Sequence, residues 1–221
     1  MSVTKVTVDG MDLSSDVTLS GTTPTLTIGD AGAEDAAIVF DGNAQDFHIG
    51  LDDTADSLAI GLGSALGTTD HMVFDATGVV TKPLQPCVYA IAPGTQTNIA
   101  VDSDVTLIFS TEIFDVNGDF ASNTFTAPVT GKYLVTYTVR LDDADSASTY
   151  YYLGIIASNR NYYKLSTFYQ MNGDVGYWAM SAAVVIDADS SDTIHMVVRQ
   201  SNGTSQTDIS DTSTITYALL S

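Results

Sequence analysis

The chain has 221 residues, and its 27 acidic and 7 basic side chains give a formal net charge of -20. This charge excludes nucleic acid and anionic membranes as partners, because both are bound through Lys and Arg. Hydrophobic residues make up 44% of the chain, so we expect a folded core under an acidic surface. The N-terminal residues lack the apolar segment of a signal peptide, and no apolar run reaches about 18 residues, so we expect neither export nor membrane insertion.

The first part, residues 1–82, consists of short segments that can form strands, each followed by Gly, Asp or Asn. The segments are KVTVDG, VTLSG, LTIGD, IVFDG, FHIGLDD, LAIGLG and MVFDATG. Ile-Gly recurs at residues 28–29, 49–50 and 60–61, and Val-Phe-Asp recurs at 39–41 and 73–75, without a fixed period. We interpret residues 1–82 as a β-rich stem or arm used for attachment and trimerisation.

Strands this short bury little surface within one chain. At about 25 cal/mol per Å2, their burial would barely offset about 1 to 2 kcal/mol of backbone entropy per ordered residue. We therefore expect the segment to pack against copies of itself as a fibrous stem. The alternative is an arm that lies along another protein.

Two prolines in TKPLQP indicate an extended connector, so residues 83–99 are interpreted as a linker with the first strand of the next domain. Residues 100–221 have the length of a β-sandwich, with turn-forming clusters between seven main strand candidates. These candidates are residues 106–109, 131–141, 150–157, 162–168, 177–186, 193–200 and 214–220. No segment shows a sustained helical period.

The clearest strand follows the run FTAPVTGKY. Tyr133, Val135, Tyr137, Val139 and Leu141 alternate with Leu134, Thr136, Thr138 and Arg140. A period of two predicts a strand with the first set in a core and the second set facing a different environment.

Residues 114–133 carry a resemblance to the superfamily of complement globular heads and tumour necrosis factor. The matching positions are Phe114-Asp115, Gly118, Phe120, Phe125, Ala127, Pro128, Gly131 and Tyr133. Ser191-Asp192-Thr193-Ile194 is similar to the family's Gly-Asp turn before a late strand, with Ser191 in place of glycine, and TITYALL at 214–220 matches the closing strand. The resemblance covers about residues 100–221 and implies a ten-strand jelly roll that forms a tight homotrimer.

The run from IVFDGNAQ to GVVTKP resembles stem segments of tailed-bacteriophage structural proteins in its overall pattern of short strand-forming runs and turn residues. A jelly-roll head on such a stem resembles a virion surface protein, made in the host cytoplasm and carried on the particle's exterior. Its partners would be further copies of itself and the major capsid protein or another virion protein.

Aromatic side chains are the candidates for the core and the trimer interface, because they bury much area per residue. The candidates are Phe114, Phe120, Phe125, Tyr133, Tyr137, Tyr151, Tyr177, Trp178 and Tyr217. The densest group comprises the tyrosines at 150, 151, 152, 162, 163, 169 and 177 with Trp178. Its alternative role is to stack on sugar rings of a host glycan.

Other candidate sites are interpreted as structural. Asp115 to Asp119 resembles the start of a calcium loop, but Phe120 replaces the required glycine and Thr126 the bidentate glutamate, so we expect a turn. Asp52, Asp53 and Asp56 are candidates for binding a cation at a trimer axis or another subunit contact. His48, His71 and His195 lack the spacing of a zinc site, and the strand alternation places His195 away from the core.

The remaining catalytic patterns are also absent from the sequence. The glycine run at 61–67 lacks the spacing of a dinucleotide fingerprint, and Cys87 is expected to be a structural thiol. We therefore expect no enzymatic activity, cofactor or protein-bound metal.

The sequence thus predicts an all-β homotrimeric capsid decoration, or cement, protein that stabilises a phage shell. The alternative is a short tail fibre or spike whose head binds a host glycan. A bacterial adhesin or secreted lectin is disfavoured by the missing export signal.

Overall fold

The computed structural model describes residues 18–169 and 172–221. Within these ranges every regular element is a β-strand, and the strands form three antiparallel sheets. The chain divides into two compact units, one ending at Thr81 and the other spanning Lys82–Ser221. We refer to them as the stem unit and the head unit.

The stem unit contains one five-stranded meander in the order β1-β2-β3-β4-β5. Its strands are β1 (Ala36–Phe40), β2 (Phe47–Asp52), β3 (Ser57–Leu62), β4 (Asp70–Asp75) and β5 (Val80–Thr81). Turns rich in Asp, Gly and Asn join them, as the sequence predicts.

The prediction of strands in the stem was only partly right. Four of the seven short segments coincide with β1 to β4, whereas VTLSG and LTIGD form no strand in their described residues, 18–30. KVTVDG lies outside the described residues. The two segments fail as strands because local β-propensity is insufficient without a neighbouring strand to pair with.

The head unit is a sandwich of two sheets, as the jelly-roll prediction requires. One sheet has the order β13-β12-β15-β10-β9, with β7 paired to β15, and the other has the order β14-β11-β17-β6-β8, with β16 paired to β11. The strands are β6 (Cys87–Ile91), β7 (Asp104–Thr106), β8 (Thr111–Asp115), β9 (Phe120–Ala121), β10 (Thr124–Thr126), β11 (Gly131–Ala144), β12 (Tyr150–Ala157), β13 (Asn161–Tyr169), β14 (Val175–Ala188), β15 (Thr193–Ser201), β16 (Asp208–Ile209) and β17 (Thr214–Leu219).

Two details of the head differ from the prediction. The candidate strand at 106–109 is shifted, because β7 ends at Thr106 and both Leu107 and Phe109 enter the core from an irregular segment. The described head also has more than ten strands, because β9, β16 and other short pieces pair with the edges and ends of longer strands.

Strand β11 confirms the predicted alternation. Tyr133, Val135, Tyr137, Val139 and Leu141 are buried, and the intervening residues are half-buried or exposed. β11 pairs with β14 over almost its whole length and with β17 on its other side. It is therefore a central strand, and its register determines which side chains lie on each face of the sheet.

Candidate functional site

The aromatic residues of the sequence motif form a packed group inside the head. The Phe125 and Tyr217 rings stack with centroids 4.8 Å apart, and Phe125 also meets Tyr133 edge-on at 5.4 Å. Phe120 lies 5.8 Å from Tyr217. Burial raises the pKa of the Tyr217 phenol, and it also raises the pKa of the Tyr133 phenol. The group is a hydrophobic core that joins the two sheets.

The small residues of the motif are explained by close backbone contacts. Ala127 is 1% exposed; its amide donates to the Asp192 carbonyl, and its carbonyl accepts from the Ser191 amide. A Cβ added to Gly131 would lie 2.6 Å from the Ser221 carbonyl oxygen and 2.7 Å from Leu219 Cδ1. A side chain at Gly131 would therefore displace the end of the closing strand.

The segment that resembles a calcium loop is a turn, as expected. Both carboxylate oxygens of Asp115 are used within the chain, accepting from the amides of Asp119 at 3.0 Å and Phe120 at 2.9 Å. Asn117 and Gly118 have positive φ angles of 77° and 73°, which complete the reversal. Burial, followed by repulsion from Asp115, raises the pKa of Asp119.

A buried polar cluster at one end of the head was missed by sequence reasoning. Asp145 is 1% exposed, and its carboxylate accepts from the amides of Ala147, Thr204 and Ser205. Burial favours the neutral acid, but these hydrogen bonds outweigh it and lower the pKa of Asp145. The only sequence signal is the turn composition of DDADSAS, which does not predict a contact some 60 residues away.

The predicted interface and core residues separate into two groups. Phe120, Phe125, Tyr133, Tyr137, Tyr151 and Tyr217 are buried. Phe114, Tyr177 and Trp178 are 47%, 72% and 38% exposed. Of the wider aromatic group, Tyr151 and Tyr152 are buried, whereas the side chains of Tyr162, Tyr163 and Tyr169 lie outside the described residues.

The outward face of the β14-β11-β17-β6-β8 sheet is the main candidate surface of the head, and we call it the head face. Three rows of paired residues cross its centre. They are Val185–Leu134–Ala218–Cys87, then Ala183–Thr136–Thr216–Tyr89–Phe114, and then Ser181–Thr138–Thr214–Ile91–Thr111. Every residue in these rows is uncharged, although the chain carries a net charge of -20.

Charged residues lie at the two ends of the head face. At one end, Lys132 Nζ lies 2.5 Å from the Asp187 carboxylate. At the other, Arg140 pairs with Asp142 at 2.7 Å, and its guanidinium lies 4.7 Å from the centroid of the Tyr177 ring. Both pairs are partly or largely exposed, so they add little to stability. The central rows remain a neutral, mixed apolar and hydroxyl surface.

The remaining titratable residues are dispersed. Within residues 18–169 and 172–221, no three His, Cys, Asp or Glu side chains gather closely enough to hold a metal ion. Asp52 accepts from the Ala55 amide at 2.9 Å at the β2–β3 turn, so a cation shared between copies stays a prediction. His195 lies between buried Ile194 and Met196, as predicted, and partial burial lowers its pKa.

Other expected features of the sequence have the following positions. Cys87 is a half-buried free thiol on β6, at the end of one head-face row. Among the described residues, no helix is long and apolar enough to span a membrane.

Comparison with known proteins gave similarity to solved structures. No family model and no curated protein matches the sequence. The globular domain of zebrafish complement 1qA protein is 14% identical, with coverage of 62% of this chain and 98% of that chain and a TM-score of 0.47. Murine APRIL at pH 8.0 is 11% identical, with coverage of 62% and 99% and a TM-score of 0.45. By its own strand order and register, the second unit is a jelly-roll sandwich, and these solved structures are similar to it.

Proposed function

We propose that this chain is a non-catalytic, homotrimeric surface protein of a bacteriophage virion, acting as a capsid decoration or cement protein. The observation that carries the self-association is the head face. Its central rows are uncharged and include Val185 at 52% and Phe114 at 47% exposure. The virion assignment is supported by the resemblance in overall sequence pattern between the stem and the stem segments of phage structural proteins.

Electrostatics favours the head face as the meeting point of identical chains. Copies with a net charge of -20 repel one another over most of their surface, more strongly at low salt. Contact across the three uncharged rows removes apolar area from water without placing carboxylates against each other. A closed arrangement of three copies buries these rows between subunits, and its symmetry matches the three-fold positions of an icosahedral lattice.

The proposed mechanism is mechanical. Burial of apolar surface among three chains, and between the trimer and the capsid protein, adds free energy that must be overcome before the shell opens. Catalysis is not part of the proposal, because the carboxylates with the clearest hydrogen-bonding roles, Asp115 and Asp145, are occupied in holding turns.

A matched pair of variants tests the self-association. Val185 and Val129 are similarly exposed, at 52% and 46%, but only Val185 lies in a head-face row. We expect wild type and Val129→Arg to have the molar mass of a trimer in light scattering at micromolar concentration. Val185→Arg should need at least about tenfold more protein to reach that mass, since a few kcal/mol of binding are lost. A monomeric wild type, or equal behaviour of both variants, would contradict the proposal.

The role on the particle is tested by counting copies in purified virions with quantitative mass spectrometry. Hundreds of copies support capsid decoration, because a lattice offers many equivalent positions. A handful would favour a fibre or spike, and none would remove the virion assignment.

The exposed Tyr177 supports a second candidate function, a fibre tip whose head binds a host glycan. Its ring is 72% exposed beside Arg140, and an aromatic face with a neighbouring hydrogen-bond donor suits a sugar ring. Glycan-array binding by the full chain that is lost in Tyr177→Ala, but kept in Phe114→Ala, would support this function. Absence of binding by wild type would reject it.

A further inference from the structure

One face of the stem sheet is formed by large apolar side chains, and we call it the stem face. Strand pairing aligns them in three rows. They are Ala36–Leu51–Leu58–Phe74–Val80, then Ile38–Ile49–Ile60–Met72, and then Phe40–Phe47–Leu62. The Ile-Gly repeats of β2 and β3 therefore place isoleucine on this face and glycine on the other.

The opposite face carries small residues on its central strands, and the chain itself covers it there. Gly50 lies so close to the β3–β4 loop that an added Cβ would be 2.9 Å from Leu66 Cδ1. A Cβ on Gly61 would be 2.5 Å from the Thr69 carbonyl oxygen and 2.7 Å from the imidazole of His48, which is fully buried. The centre of this side is therefore covered within the unit, whereas Val39 on the edge strand β1 is 40% exposed.

Among residues 18–169 and 172–221, nothing comparable covers much of the stem face. Phe40 is 55% exposed, Leu51 46%, Ile38 44% and Leu58 43%. A groove of about 310 Å3 separates part of this face from Leu26 and Ile28. Val80, Phe47 and Ile49 are also 49%, 42% and 37% exposed, so the stem face is a contiguous exposed apolar patch of the kind that marks an interaction site.

The distribution of charge identifies the partner that fits. Every residue of the three stem-face rows is uncharged, and the carboxylates within the strands, Asp52, Asp70 and Asp75, belong to the opposite side by register. The three rows offer no charged group to a basic protein and no ionic contact to a polar ligand. A second copy of the same face offers matching apolar rows at the same strand spacing, with its acids directed away.

We propose that the stem face is a self-association surface, occupied in the assembled protein by the stem faces of further copies of this chain. The inference rests on the proposed function, because it adds a second seam to the same homo-oligomer. It goes further in assigning the stem its own seam, formed by β1 to β4, separate from the head face.

Cysteine cross-linking in the full chain tests this seam. With Cys87 replaced by Ala, a cysteine is introduced at Ile49, on the stem face, or at Val39, on the opposite face; the two sites are 37% and 40% exposed. After mild oxidation at tens of micromolar protein, we expect Ile49→Cys to form covalent dimers at least about tenfold faster than Val39→Cys. Equal rates, or no dimer from Ile49→Cys, would overturn the proposal.

A second matched pair separates failure at the stem from failure at the head. Ile38 and Val39 are adjacent on β1 with exposures of 44% and 40%, but they lie on opposite faces. Ile38→Lys should reduce the Ile49→Cys cross-linking rate at least about tenfold, whereas Val39→Lys should leave it within about twofold. The molar mass of Val185→Arg tests the head face. The ratio of Ile49→Cys cross-linking rates with and without Ile38→Lys tests the stem face. If cross-linking is insensitive to Ile38→Lys, or the face instead binds a different protein in virions, the stem assignment is wrong.

Discussion

The Tyr133 hydroxyl donates a 2.6 Å hydrogen bond to the carbonyl of Val129, four residues earlier in the chain. This contact closes the loop between β10 and β11, which contains Pro128, and it holds the Tyr133 ring against Phe125. The tyrosine of the motif thus packs its ring in the core and holds the loop through its hydroxyl group.

Replacing this tyrosine by phenylalanine should remove the hydrogen bond to Val129 and keep the packing of the ring. We expect Tyr133→Phe to lower the free energy of unfolding by about 1 kcal/mol, because the Val129 carbonyl loses its partner. Tyr217→Phe is the comparison, since its hydroxyl makes a longer contact of 3.4 Å to Ile194 and should cost less. Urea unfolding at one fixed protein concentration measures both, and a larger loss for Tyr217→Phe would contradict the role assigned to Tyr133.

The close approach of the closing strand makes Gly131 intolerant of a side chain. Gly131→Ala should destabilise the chain by about 1 to 3 kcal/mol, because its Cβ would overlap the Ser221 carbonyl oxygen and Leu219. Gly94→Ala is the matched control, since no atom lies within 4 Å of its added Cβ. Thermal unfolding should show the difference, and equal melting temperatures would show that the C-terminal strand shifts freely.

Ser191 occupies a position better suited to glycine. Its φ is 77°, in the left-handed region that costs about 1 kcal/mol for a residue with a Cβ. Ser191→Gly should therefore raise the free energy of unfolding by up to about 0.5 kcal/mol, because the relief of strain is partly offset by about 0.5 to 1 kcal/mol of added entropy in the unfolded chain. Ser190→Gly should not stabilise the chain. A decrease on Ser191→Gly, measured by urea unfolding, would count against the strain.

The buried carboxylate of Asp145 is expected to contribute strongly to stability. Asp145→Ala leaves the amides of Ala147 and Ser205 without their acceptor and should cost about 2 to 3 kcal/mol. Glu112→Ala removes an equal charge from an exposed position and should change stability by less than about 0.5 kcal/mol. If both variants unfold at the same urea concentration, the cluster around Asp145 is not a stabilising element.

The lowered pKa of Asp145 also predicts an acid sensitivity. Because the folded pKa lies below the unfolded value of about 3.9, the group stabilises the fold fully above that pH, and its contribution is lost as pH falls through the folded pKa. Asp192 has a pKa lowered by the hydroxyl of Ser158 and then by the amide of Asp189, and it acts in the same direction. The stability of wild type should fall below about pH 4.

A variant isolates this effect from the general loss of negative charge. Asp145→Asn cannot titrate, so its deficit relative to wild type should shrink as pH falls from 5 toward 2. Urea unfolding at a series of pH values measures the deficit. A deficit that stays constant with pH would contradict the assignment of a depressed pKa to Asp145.

The head was more predictable from sequence than the stem, because the central strand β11 alternates strictly. In β11, five buried residues from Tyr133 to Leu141 follow directly from the period of two. Sheet order did not follow, since β17 lies between β11 and β6, which are about 40 residues apart in sequence. Such pairing depends on which edges meet in three dimensions, and a single sequence carries no direct signal for that.

The exposed aromatic residues illustrate the same limit. Tyr177 and Trp178 resemble core residues in composition, yet they lie near the start of β14, which is at the edge of its sheet. In the stem, short strand-forming runs followed by turn residues identified β2 and β3, but only the structure shows that Leu66 lies against the face that carries Gly50. Composition distinguishes apolar from polar, whereas coverage by a distant loop is a tertiary property.

The unequal faces of the stem sheet have a consequence for the size of the assembly. A sheet with exposed apolar side chains on both faces can stack on further copies and form fibres. Here Leu66 of the β3–β4 loop lies against one face at Gly50. In the proposed assembly the stem faces meet one another, and the side that carries Leu66 faces outward. Under the proposed self-association, this difference between the two sides limits stacking and favours an assembly of defined size.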